Sequence, residues 1–562
     1  MCGILFCLKR RNCERIVSDS IELLNRRGPD HQQRRDYDID EAWSLELYST
    51  VLHMRGGLCS QPIEHPSSRN IFMWNAEIFG GVEVPDETND GDTLLNILSA
   101  CETDEAILDV FQRIQGPYAF VFIQVKKKRI WFARDVFGRR SLTFCLDSDR
   151  STFLLSSVVL PKNSLTRSVG EWQELSSAGI YTMHLTNTRF DIHCWPWLHN
   201  SMQPNNCLQA SVDEPLSLHC MLPLNMTISS ENGTGSLLVN ADPLHLAAQL
   251  LMQECDGLLD KLSTAVARRV VQNSYFCPLC SLNTRCSSAH VAVMFSGGID
   301  SVMLAHLAHQ FVPKDQPIDL LNVAFQTGTS FNFDVPDRKG GWQALSELSP
   351  NRKWNFIEIN VTREELQSAR AGRISSLIQP LDSVLDDSIG CALWFASRGV
   401  GCLNETPYIS TARVVLSGLG ADEQLGGYSR HRSSFIGGGE AALLNEINLD
   451  LMRISSRNLG RDDRVVSDHG KEARFPFLDE EVVSFLNQLP VSKKMDLRLP
   501  RGVGEKLLLR ACAMRCGLSM TAHFAKRAIQ FGSRIAKCEN RKEKGSDVCV
   551  RLTNDAISCD DT

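Results

Sequence analysis

Long hydrophobic runs are missing from this chain. No stretch of its 562 residues approaches the roughly 20 apolar residues of a membrane span, so no membrane partner is expected. The opening MCGILFCLKRRNC places a short apolar patch ahead of its positive charges. That is the reverse of the secretory order, and a cytoplasmic location follows as the expectation. Positive charge is not in excess: 59 Lys and Arg face 66 Asp and Glu, for a net charge of -7. Aromatics are scarce at 7%, and the basic runs at 126–129 (KKKR) and 541–544 (RKEK) contain none. A nucleic-acid partner is therefore not expected, whereas small anionic ligands are compatible. No GxxxxGK[ST] loop is present, which excludes the phosphate loop of kinases and GTPases of that type. No internal repeat is visible.

Cysteine, by contrast, is plentiful. The 20 cysteines are scattered, and several stand inside apolar strings such as IGCALWF and LRACAM. They read as reduced, partly buried thiols. Cys277, Cys280 and Cys286 are spaced C-x2-C-x5-C with His290 nearby. A loop of reduced thiols is the favoured reading over a zinc site.

The length calls for two or three domains. Residues 2–190 hold short apolar runs separated by Gly and Pro, and read as a sheet-rich domain with few helices. Residues 191–261 read as a connecting segment and 538–562 as a flexible polar tail. From 262 to 537 short apolar strands alternate with helical stretches. That order predicts a parallel, doubly wound sheet followed by a mainly helical part.

Two glycine turns stand out in the second half. The strand VAVMF runs into Ser296-Gly297-Gly298-Ile299-Asp300 and then a helix. Backbone N–H groups and the helix dipole make such a turn an anion cradle. Asp300 disfavours a bare phosphate and suits a Mg2+ that bridges phosphates. A second strand ends in Ser417-Gly418-Leu419-Gly420-Ala421-Asp422. In a parallel sheet both turns face one crevice, where Asp300 and Asp422 could share the metal.

The ordered set MCGI, RRGPD, HMR with QPI, WNAEIF, ARDVFGRRSL, FSGGIDS, LSGLGADEQLGGY, EARFPFLD and GEKLLLR resembles the glutamine-hydrolysing asparagine synthetases. The resemblance implies an α+β N-terminal-nucleophile hydrolase sandwich carrying a class II glutamine amidotransferase. It implies an α/β ATP-pyrophosphatase domain behind it. Cys2 is then the nucleophile, freed by removal of Met1. Arg55 binds the glutamine carboxylate, Asn75 with the backbone of residue 76 forms the oxyanion hole, and Glu77 and Asp92 hold the α-amino end. Ser296, Gly297, Gly298 and Asp300 form the pyrophosphate loop. Asp300 and Asp422 carry Mg2+, Lys506 contacts the phosphates of ATP, and Ser417, Gly418, Leu321 and Phe325 surround the nucleotide. The implied reaction joins glutamine, ATP and a carboxylic acid, aspartate by default; a homodimer is compatible.

The chemistry of the first site agrees. An α-amine titrates near about 8 and a thiol near about 8.5, so the two exchange a proton without a histidine.

Two positions depart from the pattern. Ala76 replaces a glycine, which costs about 1–2 kcal/mol if that position has positive φ. Leu419 replaces a glutamate that handles the acyl-adenylate and the incoming ammonia. The expected Thr-Thr-x-Arg after Asp382 is also missing, and the arginines of 457–464 read either as bidentate donors to a carboxylate or as a solvated helix and loop surface. These departures keep two alternatives open: a different acceptor acid, or a scaffold that retains ATP or glutamine binding.

Overall fold

The computed structural model describes residues 1–18, 21–161, 164–166, 170–198, 205–226, 242–271, 288–328, 331–538 and 543–553. The Cys277/Cys280/Cys286 cluster lies outside them. No helix among the described residues is long and apolar enough to cross a membrane. None of the described cysteines is in a disulfide.

Thirteen strands build the first half: β1 Gly3–Arg10, β2 His31–Asp38, β3 Trp43–Val51, β4 Ile63–Glu64, β5 Ile71–Ala76, β6 Tyr118–Gln124, β7 Arg129–Arg134, β8 Thr143–Leu146, β9 Thr152–Ser156, β10 Gln173–Glu174, β11 Gly179–Leu185, β12 Phe190–Pro196 and β13 Ser211–Val212. They form two sheets, ordered β10-β8-β9-β1-β3-β2 and β13-β12-β11-β7-β6-β5-β4. The run GILFCL explains the stacking. Ile4, Phe6 and Leu8 share a core with Ile71, Met73 and Phe132 of the other sheet, while Leu5 and Cys7 point to the opposite face and join a second core. A strand buried on both faces reads as a continuous apolar run.

This half extends further than expected. Instead of ending at 190, the sheet continues through β12 and β13, whose register pairs His193 with Ser211. The cue is the alternation of Phe190, Ile192 and Cys194, all buried. The segment read as a linker, 191–261, also holds the first half of the helix Met252–Val271, whose Leu258 is buried together with Leu262 and Val266 beyond the expected boundary.

The second half is one sheet built from β14 Val291–Met294, β15 Ile318–Phe325, β16 Trp354–Val361, β17 Val400–Leu403, β18 Thr406–Ile409, β19 Val414–Leu416 and β20 Glu472–Arg474. Its order is β18-β17-β16-β15-β14-β19-β20. The five strands from β16 to β20 in that order are parallel; the β17–β18 hairpin is an antiparallel edge. Alternate residues of β15 enter two separate cores, Leu320 on one face and Leu321 on the other, as helices on both faces require. β14 lies between β15 and β19. The crevice outside the ends of β14 and β19 is therefore a topological switch point, where open α/β sheets bind ligands.

The tail is not wholly loose. Residues 543–553 dock on the helix Val384–Arg398: Val384 N–H donates to the Asp547 carbonyl (2.9 Å), Leu385 N–H to that of Gly545 (2.9 Å), and Cys549 N–H to that of Asp382 (2.7 Å). Cys549 and Leu552, two apolar side chains in a polar stretch, are buried in the core.

Candidate functional sites

The first cavity opens at the start of β1. Met1, Cys2, Leu52, Arg55, Cys59, Gln61, Ala76, Glu77, Asp90 and Glu472 line it. Cys2 N–H donates to Asn75 Oδ1 (3.0 Å), an alignment fixed by the two facing sheets. Asn75 Nδ2 is buried and makes no hydrogen bond. A buried donor left unpaired costs about 1–3 kcal/mol, so an acceptor brought into the cavity beside it would be stabilised. Burial pushes the Cys2 thiol up, opposed by the nearby amine and by the Leu52 N–H. The amine at Met1, itself buried, is lowered to about 5 by burial. Ala76 closes β5 opposite Tyr118 and is not among the residues with positive φ, so the feared cost does not arise.

Glu77 is buried with Arg55 Nη1 at 3.6 Å and Arg474 Nη2 at 3.8 Å. Burial first, and then the Asp90 charge, raise it to about 8. Arg55 also donates to the carbonyls of Ile78 (2.9 Å) and Val84 (3.2 Å). Asp92 is placed differently from the expectation. It is exposed on the helix Asp90–Ala100, and Asp90 faces the cavity instead. The helix starts at Asp90, and its phase turns residue 92 outward. Glu472, supplied by the second half, was not foreseen. Burial would raise it, but Arg474 and Arg140 hold it down at about 2.

The second cavity lies at the switch point, lined by Ser296, Gly297, Gly298, Asp300, Asp337, Gly340, Lys506, Lys526 and Arg527. Gly297 has φ +77°, and a Cβ there would stand 2.3 Å from the Gly340 backbone. A Cβ on Gly418 would stand 2.7 Å from Asp300 Cβ, so this glycine lets the two turns meet. Lys506 Nζ bridges Asp300 Oδ2 and Asp422 Oδ1, each at 2.6 Å. Lys506 itself has φ 57°, a left-handed conformation worth about 1–3 kcal/mol of strain, held by its N–H bond to the Leu425 carbonyl (2.8 Å). Burial lowers the affinity of Lys506 for its proton, but the two carboxylates more than offset this and raise its pKa. Burial raises Asp300 despite Lys506. Asp422, pushed up by burial, is nevertheless brought below its usual value by Lys506 and Lys526, the latter in direct contact. Lys526 and Arg527 were not foreseen; they sit in an irregular loop that no motif marks. Leu321 and Phe325 are core residues of β15 and do not line the cavity. Ser417 N–H donates to the Arg474 carbonyl (2.9 Å), and Glu423 caps its own turn through the Gly420 N–H (3.0 Å).

Asp337 adds a third carboxylate, raised to about 7 by burial. Its folded value lies above the unfolded value near about 4, so the fold binds more protons between the two and loses stability as pH rises through that window. Asp337→Asn should therefore raise the melting temperature of the nucleotide-free protein more at pH 8 than at pH 5. Equal shifts at both, by calorimetry, would count against this assignment.

The arginines of 457–464 do not form an acceptor pocket. Arg461 is buried against Asp386 (2.6 Å) and Asp462 (2.7 Å), and Arg464 against Glu174 (2.7 Å) and Ser141 (2.8 Å). Leu419 packs on the apolar core.

A thiol cavity on a two-sheet half and a phosphate-type cradle on a parallel sheet thus define a glutamine amidotransferase domain joined to an asparagine synthase-type domain. The glutamine amidotransferase family model matches residues 1–189, and the asparagine synthase model matches 281–445 and 437–518. The chain belongs to the glutamine-hydrolysing asparagine synthetase family. It is 43% identical to asparagine synthetase domain-containing protein 1 of Bos taurus and 42% identical to that of Homo sapiens, each over 98% of both chains. It is 23% identical to the asparagine synthetase [glutamine-hydrolyzing] of Mus musculus, over 92% of this chain and 82% of that one.

The synthase-type domain implies ATP with Mg2+, and the residues fit. Gly-rich turns, two lysines and an arginine surround the cradle, matching a polyphosphate. No group of three or more His, Cys, Asp or Glu able to hold a metal occurs among the described residues. Asp300 and Asp422 are the pair available. Mg2+ is commonly held by one or two carboxylates plus substrate phosphates, which suits that pair.

Proposed function

We propose that this chain is an amide synthetase: glutamine supplies ammonia at Cys2, and ATP activates a carboxylic acid, by default aspartate, as an acyl-adenylate. The observation that carries the reading is the Asn75 side chain, whose Oδ1 holds the Cys2 nitrogen while its buried Nδ2 stays unengaged. With Met1 removed, that nitrogen is the α-amine. It takes the thiol proton, and the thiolate attacks the glutamine amide. Asn75 Nδ2 then meets the oxyanion, the amine returns a proton to the leaving ammonia, and water releases glutamate. Glu77 and Asp90 are the carboxylates available to the substrate's α-ammonium.

In the second cavity Mg2+, when bound, shields the charge of the triphosphate. Lys506, Lys526 and Arg527 orient the phosphates and stabilise the charge that develops as pyrophosphate leaves. Purified full-length chain given glutamine, aspartate, ATP and Mg2+ should yield asparagine and pyrophosphate in equal amounts; folded protein that makes neither would sink the reading. Asn75→Ala should lower kcat for glutamine hydrolysis by about 10²–10³-fold with a smaller change in KM. Glutamate release measures both, and an unchanged kcat would remove Asn75 from the oxyanion site.

A second reading, a different acceptor acid, is favoured by Leu419. Its side chain cannot accept a proton, and residues 382–385, where the chain also departs from the pattern, are paired to the docked 543–553 segment. Screening acids for pyrophosphate release separates the two.

A further inference from the structure

One residue joins the wall of the first cavity to the turn packed behind the second. Arg474 ends β20, the outer parallel strand of the sheet of the second half. Its carbonyl accepts the Ser417 N–H at 2.9 Å, at the head of the turn that carries Gly418 and Asp422. Its side chain, wholly buried, runs to the other cavity. Nε meets Glu472 Oε1 at 2.6 Å, and Nη1 donates to the Arg269 carbonyl. Nη2 stands 3.8 Å from Glu77 Oε2 and makes no hydrogen bond. Glu77 Oε1, also buried, makes none either; its other cation, Arg55, is 3.6 Å away. A buried donor and a buried carboxylate, both short of hydrogen bonds and less than 4 Å apart, form a contact that is costly to leave half made.

We propose that Arg474 is a positioning residue that couples occupancy of the nucleotide cradle to glutamine binding at Glu77. This rests on the glutamine reading of the Cys2 cavity.

Two carboxylates compete for one guanidinium. With the cradle as found, Lys506 bridges Asp300 and Asp422, and Arg474 favours Glu472. A triphosphate with its cation must enter beside that bridge and draw Lys506 toward phosphate. The 417–422 turn has little slack, because Gly418 lies against Asp300 and Ser417 is tied to Arg474. Packed elements of this kind answer by switching between discrete contacts rather than by stretching. The alternative contact for Arg474 is Glu77. A cation brought to hydrogen-bond distance favours the ionised carboxylate, the form an α-ammonium requires. Nucleotide therefore tightens glutamine, and by linkage glutamine tightens nucleotide by the same factor.

The test uses the full chain carrying Cys2→Ala, so that glutamine binds without turnover. Calorimetry gives the glutamine Kd with and without α,β-methylene-ATP and Mg2+. The expected result is about ten-fold tighter binding with nucleotide. Adding Arg474→Lys, which keeps the charge but loses the fork, should weaken glutamine and erase the nucleotide effect. Adding Glu472→Gln should do the opposite of damage: it frees Arg474 for Glu77, and glutamine should bind tightly without nucleotide. Retention of the nucleotide effect in Arg474→Lys, or weaker glutamine binding in Glu472→Gln, would overturn the coupling; should Arg474→Lys fail to fold, the Glu472→Gln arm decides. No glutamine binding in any chain would overturn both the coupling and the reading beneath it. Linked binding that Arg474→Lys abolishes, in a parent chain that turns over no glutamine, would support the coupling and count against the proposed reaction alone.

Discussion

Cys2→Ala should abolish glutamine hydrolysis, cutting kcat at least about 10⁴-fold, while pyrophosphate release driven by added ammonium survives. The size follows from what is removed. Alanine deletes the nucleophile, and the remaining oxyanion donor then has no thioester chemistry to stabilise. Survival of the ammonium reaction follows from where the cut is made. Cys2 sits on the sandwich half, and the Asp300, Asp422 and Lys506 cluster sits on the parallel sheet. Glutamate and pyrophosphate assays on the same preparation check both limbs. A glutamate rate within ten-fold of the parent would remove Cys2 from the mechanism. A one-residue extension ahead of Cys2 should be as damaging as the substitution, because an amide nitrogen is no base. Met1 is 1% exposed, so the processed chain gains cavity space as well as an amine.

Lys506→Met should lower pyrophosphate formation by about 10²–10³-fold and should also unsettle the fold. Asp300 and Asp422 are held by the same Nζ. Removing one partner of a buried ion pair typically costs about 3–5 kcal/mol, because the charge left behind has lost its water. Lys526 still touches Asp422, so the cost should fall mainly on Asp300. The variant should consequently be rescued in stability by Mg2+. Its melting temperature should rise with Mg2+ far more than that of the parent, in which the lysine already occupies the place of a cation. A parent and variant that respond equally to Mg2+ would mean that the two carboxylates do not share an ion.

The sequence made the two sites legible unequally. Cys2, Asn75 and Glu77 could be placed only through the family resemblance; each stands on a strand or at a strand end, where sheet pairing fixes what faces what. Ser296 through Asp300 and Asp422 could be placed because a glycine turn after an apolar strand has few conformations. Asp92 was misplaced because NDGD holds two acids two residues apart at a helix start, and only the helix phase tells which turns inward. Lys526 and Arg527 were invisible because an irregular loop carries no period. The arginines of 457–464 looked like ligand donors because their carboxylate partners, Asp386 and Glu174, lie about 75 and 290 residues away. Distance along the chain also hid the docking of 543–553, where only two of four apolar residues, Cys549 and Leu552, are buried.

That long-range pairing has a consequence for anyone who would cut the chain. Arg27 meets Asp463, Arg139 meets Glu480, Arg140 meets Glu472, and Arg464 meets Glu174, all buried where the two halves join. The signs are mixed: the first half presents three of these cations and one of these acids, and the second half presents the complement. Fully desolvated pairs of this sort add little net affinity against well-packed apolar contacts, but a mismatch is punished heavily. The seam therefore works as a lock with a set key. Halves produced separately and mixed should recombine in one register only.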